Sequence, residues 1–110
     1  MFVVHTTVPL DPDHRDDALE LVDDLTAAAR DLPGVVRYRP AVSLEEDYTL
    51  QFFEQYEDGA AVAAKEGLPE YEAFATALPD LTDGRIETVQ AELDEAPAAV
   101  QFDAEDAVPE

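Results

Sequence analysis

The hydrophobic and polar residues of the chain follow first a strand period and then a helix period. Residues 2–8 are mostly β-branched or aromatic, which predicts a strand, and Pro9 ends it. Asp11 then offers a helix N-cap, and Pro12 suits the first helical position. Apolar residues recur at three- and four-residue spacing up to Leu32, with acidic residues on the other side. This pattern predicts a helix with one apolar face.

Three further strands are predicted downstream. They are Val35–Val42, the aromatic segment 48–56, and residues 85–93. Pro40 cannot donate a hydrogen bond to a neighbouring strand, so the second strand is expected at a sheet edge.

A broken helix is predicted between the last two strands. The alanine-rich segment that ends near Lys65 predicts a short helix, which Gly67 and Pro69 interrupt. Residues 71–78 place bulky apolar side chains on one side of a second helical piece, and residues 79–84 are predicted to form a turn.

The resulting order, βαββαβ, is typical of an α+β ferredoxin-like fold with an antiparallel sheet and both helices on one face. The second and fourth strands are then the edges. Apolar bulk is expected on both faces of the sheet, since Val4 and Phe52 alternate with Val3 and Phe53. We therefore expect a second copy of the chain to cover the open face, giving a homodimer.

Size and composition limit the possible classes of protein. With 110 residues and 46% hydrophobic residues, one domain is expected over residues 1–94, followed by an acidic tail rich in alanine and proline over residues 95–110. We expect this tail to be mobile, although Phe102 could dock on the domain. The lack of cysteine excludes disulfides and thiolate metal sites, and no apolar run could span a membrane, so we expect a cytoplasmic protein.

Charge is the strongest compositional signal. The formal net charge is −21, with 27 acidic and 6 basic residues, which argues against nucleic acid as a partner. We interpret most carboxylates as solvated surface, a pattern typical of proteins from salt-adapted organisms. The acidic segment that begins at Asp11 does not form a calcium loop, because Asp16 stands where glycine is needed and Val22 where glutamate is needed. We expect no metal site.

Several segments together resemble the antibiotic biosynthesis monooxygenase family. They are VVHTTVPLDPDHRDDALELV at the first strand and helix, PGVVRY at residues 33–38, FFEQYED at residues 52–58, and YEAF at residues 71–74. The resemblance covers residues 1 to about 94. It implies a dimeric α/β barrel and a monooxygenase that inserts oxygen into a quinol-like or polycyclic aromatic substrate with dioxygen and no cofactor.

The resemblance also implies a pocket between the sheet and the helices. Five aromatic side chains are candidates for binding a flat substrate there, although at strand and helix spacing they could equally be core. They are Tyr38, Phe52, Tyr56, Tyr71 and Phe74.

The candidate catalytic residues depart from the family pattern. Relatives often carry histidines in the broken helix, where this chain has Lys65 and Glu70. Lys65 could stabilise a phenolate, or it could be a surface lysine paired with Glu66 or Glu70, as exposed lysines usually are. His5 is the remaining candidate base, although a strand histidine more often satisfies a core or dimer neighbour, and His14 is expected in solvent.

Other interpretations stay open at this point. The loss of the helix histidines favours, as an alternative, a non-catalytic dimeric barrel that binds a small hydrophobic ligand or acts as an interaction module. The acidic tail could instead recruit a partner. Arg37 and Arg39 could clamp an anionic group or pair with acids across the dimer.

Overall fold

The computed structural model describes residues 1–109, and its elements follow the predicted order. The strands and helices are β1 Phe2–Pro9, α1 Arg15–Arg30, β2 Val35–Val42, β3 Thr49–Tyr56, α2 Gly59–Glu66, α3 Pro69–Leu81 and β4 Glu87–Glu92. This is the predicted α+β ferredoxin-like arrangement.

The four strands form one antiparallel sheet in the order β2-β3-β1-β4. The prediction that β2 and β4 form the edges is therefore confirmed, and Pro40 lies on an edge strand. Thr6 of β1 pairs with Phe52, whereas the adjacent His5 pairs with Phe53. Because successive strand residues point to opposite faces, this register fixes which side chains face the helices and which face the open side.

The first helix starts later than the sequence pattern predicts. Pro12–His14 form a 3₁₀ turn, and the carboxylate of Asp11 caps it by accepting a hydrogen bond from the Asp13 backbone N at 3.0 Å. The α-helix itself begins at Arg15. Asp11 and Pro12 thus have the predicted cap and first-position roles, but in a tighter turn that leads into the helix.

The hydrophobic core lies between α1, α3 and the helix-facing side of the sheet. Its α1 residues are Ala18, Val22, Leu25 and Ala29. They pack against buried side chains of the three longer strands, of α3 and of Leu10 just after β1. The strand and α3 residues are Val8, Tyr38, Leu50, Phe52, Phe74 and Leu81. Full burial of one such aliphatic or aromatic side chain stabilises a fold by about 1.5–3 kcal/mol, so this cluster fixes the position of α1 on the sheet.

The predicted break between the second and third helices is confirmed. The Asp58 carboxylate caps α2 by accepting a hydrogen bond from the Ala61 backbone N at 3.0 Å, and Gly67 ends the helix. Pro69 then opens α3, where the missing N–H of proline costs nothing. The predicted turn at residues 79–84 is wrong in its first half, because α3 continues through Pro79 to Leu81.

The chain beyond β4 runs along the protein surface. The Leu93 backbone N donates to the Met1 carbonyl at 2.8 Å, and a 3₁₀ turn forms at Ala104–Ala107. Phe102 does not dock on the domain, since it is 66% exposed. The division into residues 1–94 and a tail of residues 95–110 stays a prediction, and Glu110 lies outside the described residues.

Candidate functional site

A cavity of about 460 Å³ lies between the helix-facing side of the sheet and the helices α2 and α3. Its sheet wall is made by alternate residues of β1, β3 and β4 together with Tyr38 of β2, and its helical wall by one side of α2 and α3 together with Leu25 of α1. The lining residues are Phe2, Val4, Thr6, Val8, Leu25, Tyr38, Phe52, Glu54, Tyr56, Gly59, Val62, Lys65, Glu66, Tyr71, Phe74, Ala75, Leu78, Ile86, Thr88 and Gln90. The walls are mainly apolar, as in most sites for small molecules.

Aromatic rings dominate the inner wall. Phe52 lies between two other rings, with centroid distances of 5.9 Å to Tyr38 and 5.8 Å to Phe74, both in tilted or edge-on arrangements. All three side chains are buried, and all three belong to the core cluster as well as to the cavity wall. These three residues therefore belong to the hydrophobic core and line the cavity at the same time.

A polar cluster interrupts the aromatic wall. Lys65 Nζ lies 3.5 Å from Glu54 Oε1, and the two side chains are only 11% and 7% exposed. The Tyr56 hydroxyl donates a hydrogen bond to the same Glu54 oxygen. Lys65 Nζ also lies over the ring of Tyr71, 4.5 Å from its centroid, which is within the range of a cation–π interaction.

Local sequence explains how these groups meet. Phe52, Glu54 and Tyr56 alternate along β3, so all three point to the helix-facing side. Lys65 lies in the last turn of α2, and its long aliphatic stem lets the ammonium group reach the sheet. Tyr71 comes from the first half of α3, beyond the break at Gly67. Three elements therefore supply one polar cluster.

Burial and negative charge keep the cavity tyrosines protonated. Desolvation raises the pKa of Tyr56 far above its usual value, and its hydrogen bond to Glu54 raises it further. Desolvation also raises the pKa of Tyr38 far above its usual value, and the negative charge of Glu54 makes a smaller contribution in the same direction. The pKa of Tyr71 is also raised, first by burial and then by Glu66 and Glu54. At neutral pH these hydroxyls are donors and not bases.

The structure brings six of the seven predicted site residues into this cavity. They are Tyr38, Phe52, Tyr56, Lys65, Tyr71 and Phe74. His5 is not among them: it is exposed and pairs with Phe53 and Val89, both on the open face. Glu70, at the second place where relatives often have histidine, does not line the cavity either, and its Oε2 is buried without a hydrogen-bond partner.

The expected pairing of Lys65 with Glu66 or Glu70 at the surface is wrong. The partner is Glu54, a residue that the sequence analysis did not single out. Its position could have been inferred from the alternation of β3, which places it on the same side as Phe52 and Tyr56. The burial of Glu54 could not have been inferred, because most carboxylates of so acidic a chain are solvated. Thr6, Thr88 and Gln90, on β1 and β4, are further polar lining residues that sequence reasoning missed.

Arg37 and Arg39 lie away from this cavity, on the open face of the sheet. They line a trough of about 550 Å³ whose other wall is formed by tail residues 97–101. Arg37 Nε donates to Gln55 Oε1 at 3.1 Å. Within residues 1–109, neither arginine forms an ion pair, although the chain has 27 acidic residues.

The described residues show neither a metal-binding cluster nor a membrane-spanning helix. In residues 1–109, no group of three or more histidine, aspartate or glutamate side chains is placed to hold a metal ion. None of the helices in that part of the chain combines the length and hydrophobicity needed to cross a bilayer.

Comparison with known proteins agrees with this fold. The model of the family named antibiotic biosynthesis monooxygenase matches residues 1–77. Rv0793 from Mycobacterium tuberculosis is 25% identical, with a TM-score of 0.77 over 87% of this chain and 98% of that chain. No curated protein sequence is significantly similar to this chain.

Two further solved structures share the fold at lower identity, and both carry the name antibiotic biosynthesis monooxygenase as a provisional assignment. The protein from Deinococcus radiodurans is 20% identical, with a TM-score of 0.77 over 92% of this chain and 100% of that chain. The protein from Nitrosomonas europaea is 16% identical, with a TM-score of 0.78 over 86% of this chain and 100% of that chain.

Proposed function

The chain belongs to the antibiotic biosynthesis monooxygenase family, and we propose that it is a monooxygenase that oxidises a quinol-like or polycyclic aromatic substrate with dioxygen and without a cofactor. One observation carries this proposal: an aromatic cavity of about 460 Å³ is lined, among residues 1–109, by one basic side chain, Lys65, which is only 11% exposed. The size lies within the range of about 300–1,000 Å³ that is usual for small-molecule sites.

The shape and chemistry of the cavity suit a flat aromatic molecule. Such a ring can pack against Phe52 and Phe74, whose rings meet edge-on at the inner wall. A phenolic oxygen of the same molecule can then approach Lys65 Nζ, which lies between the sheet and the ring of Tyr71. The ammonium group stabilises the phenolate, and the apolar walls keep bulk water away from it.

The substrate supplies the electrons for this reaction. A phenolate is a reductant that can pass an electron to dioxygen, which starts the oxidation. For an anthrone, one oxygen atom replaces the two hydrogens of the methylene carbon, and the second oxygen leaves as water with those hydrogens. The protein binds the aromatic molecule, promotes its ionisation and excludes water.

We also propose that two copies of the chain pack through their open sheet faces. Val89 on β4 is 60% exposed and Phe53 on β3 is 38% exposed, and the register places both on that face. Arg37 and Arg39, which form no ion pair within residues 1–109, lie on the same face and offer ion pairs to acidic residues of a second copy. A Val89→Glu variant should therefore be monomeric in high salt, whereas Leu44→Glu, in an exposed loop, should keep the dimer mass.

Oxygen consumption tests the enzymatic proposal. The purified protein in high salt should consume dioxygen faster than the spontaneous rate with at least one of menadiol, a juglone-type phenol or an anthrone. A Lys65→Met variant should lower that rate, because the phenolate loses its cation. Absence of uptake above the spontaneous rate with all three substrate types would contradict the proposal.

A second candidate function is a barrel that binds a small hydrophobic ligand without turnover. One observation favours it: neither histidine of the chain lines the cavity, since His5 faces the open side and His14 lies in the 3₁₀ turn before α1. The two candidates differ in one measurement. Binding of an aromatic ligand in the cavity without dioxygen uptake would favour the binding protein.

A further inference from the structure

The two oxygens of the Glu54 carboxylate have different surroundings. Oε1 accepts the hydrogen bond of the Tyr56 hydroxyl and lies 3.5 Å from Lys65 Nζ. Oε2 accepts no hydrogen bond within residues 1–109, yet it is not one of the fully enclosed polar atoms, unlike Glu70 Oε2. Glu54 also lines the cavity. Oε1 is thus occupied by contacts within the protein, whereas Oε2 is free to contact a ligand in the cavity.

Charge balance limits what can happen when a phenol ionises next to this pair. An uncompensated charge away from water is strongly unfavourable, so the nearly buried ammonium group of Lys65 favours having one anionic partner at every stage. With Glu54 and Lys65 already paired, a phenolate added without a proton acceptor would bring a second anion into contact with Lys65. Transfer of the phenolic proton to Glu54 avoids this, because the site then has the same net charge before and after ionisation.

We propose that Glu54 accepts the phenolic proton of the substrate and that Lys65 then exchanges the carboxylate for the phenolate as its ionic partner. In this step the O–H bond of the phenol breaks, its electron pair stays on the phenolic oxygen, and a new O–H bond forms at Glu54 Oε2. Lys65 keeps its protons throughout. This inference rests on the proposed function, because it requires that the cavity bind a phenol.

The other titratable groups around the cavity are poorer acceptors. They are Tyr38 on β2, Tyr56 on β3, Lys65 and Glu66 on α2, and Tyr71 on α3, whereas β1 and β4 contribute the uncharged Thr6, Thr88 and Gln90. The three tyrosines are held protonated, since burial raises the pKa of each. Glu66 is exposed, whereas Glu54 touches the ammonium group that the phenolic oxygen approaches, so Glu54 lies where the phenolic proton is released.

Proton counting on binding of 4-nitrophenol tests the proposal. The anion of this phenol absorbs visible light, so its ionisation in the cavity can be followed at a pH below its own pKa in solution. Calorimetry in buffers of different ionisation enthalpy gives the protons released. The wild type should bind the anion and release close to none, because Glu54 retains the proton, and Glu66→Gln should do the same. Glu54→Gln should release about one proton for each anion bound.

An infrared difference spectrum of the wild type identifies the acceptor without a variant. A carboxylic acid band should appear when 4-nitrophenol binds, and Glu66→Gln should keep it. Three results would overturn the proposal. They are release of about one proton by the wild type, binding of 4-nitrophenol in its neutral form, and absence of binding. The wild-type counts decide the matter even if Glu54→Gln does not fold.

This test is independent of turnover. If the wild type retains the proton but consumes no dioxygen with any aromatic substrate, the proposed oxygenase function fails and the role of Glu54 stands. If the wild type consumes dioxygen but releases the proton to solvent, the function stands and Glu54 is not the acceptor.

Discussion

Lys65 Nζ lies 3.5 Å from Glu54 Oε1, and this ion pair is almost completely removed from solvent. It joins α2 to the middle of the sheet next to the cavity. Most carboxylates of this chain, whose net charge is −21, are stabilised by water and need no particular cation. The buried Glu54 carboxylate has lost that hydration and is stabilised by Lys65 instead. The pair therefore bears on both stability and function.

Removal of one partner should destabilise the protein more than removal of both. Lys65→Met leaves Glu54 buried without a cation, so the free energy of unfolding should fall by about 3 kcal/mol, a typical value for a broken buried pair. Lys65→Met combined with Glu54→Gln should recover part of that loss. Urea unfolding of the two single variants and the double variant measures this coupling. Arg15→Met is the control: it removes a pair with the fully exposed Asp16 and an exposed hydrogen bond to the Asp47 carbonyl, so the free energy of unfolding should change little.

Strictly additive effects of the two single substitutions would contradict this account of the pair. Additivity is expected for residues that do not interact, and coupling for residues in contact.

Gly34 controls the approach of the start of β2 to α2. Its backbone φ is 85°, a left-handed value, and a Cβ added there would lie 2.9 Å from Ala61 Cβ. Gly34→Ala should therefore lower the free energy of unfolding by about 2–4 kcal/mol, through backbone strain and overpacking together. Gly67→Ala is a matched control, because its added Cβ meets only atoms at 3.5 Å or more. Equal effects of the two substitutions on the thermal midpoint would contradict this explanation.

The cavity tyrosines should make the protein less stable in alkali. Burial raises the pKa of Tyr38 and Tyr56 in the folded state, so the unfolded chain loses these protons first as pH rises above about 10. The contribution of the two protonated tyrosines to stability is complete below about pH 10. Above that pH the free energy of unfolding falls by about 1.4 kcal/mol per pH unit for each tyrosine. Urea unfolding between pH 9 and 11 measures this slope. Tyr38→Phe should reduce it, and an unchanged slope in that variant would contradict the assignment.

The order of elements could be predicted from the sequence because each break has a local cause. Gly67 ends α2 and Pro69 starts α3 through their own backbone properties, which do not depend on tertiary contacts. Pro40 restricts its strand to a sheet edge for the same kind of reason. The helix boundary at Pro79 could not be predicted in the same way. A proline in the last turn removes a single backbone hydrogen bond, and Thr82 caps the helix by donating to the Leu78 carbonyl from both its backbone N and its hydroxyl.

The aromatic wall of the site could also be predicted, whereas its charged centre could not. Periodicity placed Phe52 on one side of its strand and Phe74 on the apolar side of its helix, the family resemblance implied a pocket between sheet and helices, and the structure brings the two rings together. The pairing of Glu54 with Lys65 depends on how far α2 lies over the sheet, which is a tertiary property. Alternation along the first strand assigns His5 to a face, but only the register with Phe53 shows that this face is the open one.

Salt should stabilise the fold. With a formal net charge of −21, repulsion between surface carboxylates opposes the compact state, and about 1 M salt reduces the Debye length to about 3 Å. The thermal midpoint should therefore rise from low to molar sodium chloride. A midpoint that does not change over this range would contradict the interpretation of the acidic residues as a salt-adapted surface.

Blocking the cavity tests the central claim most directly. Ala75 lines the cavity on α3, whereas Ala73 of the same helix is exposed and does not line it. Dioxygen consumption with an accepted quinol or anthrone should fall to the spontaneous rate in Ala75→Trp and stay at the wild-type rate in Ala73→Trp, with both variants folded by circular dichroism. Undiminished uptake by a folded Ala75→Trp variant would show that the aromatic substrate is not oxidised in this cavity.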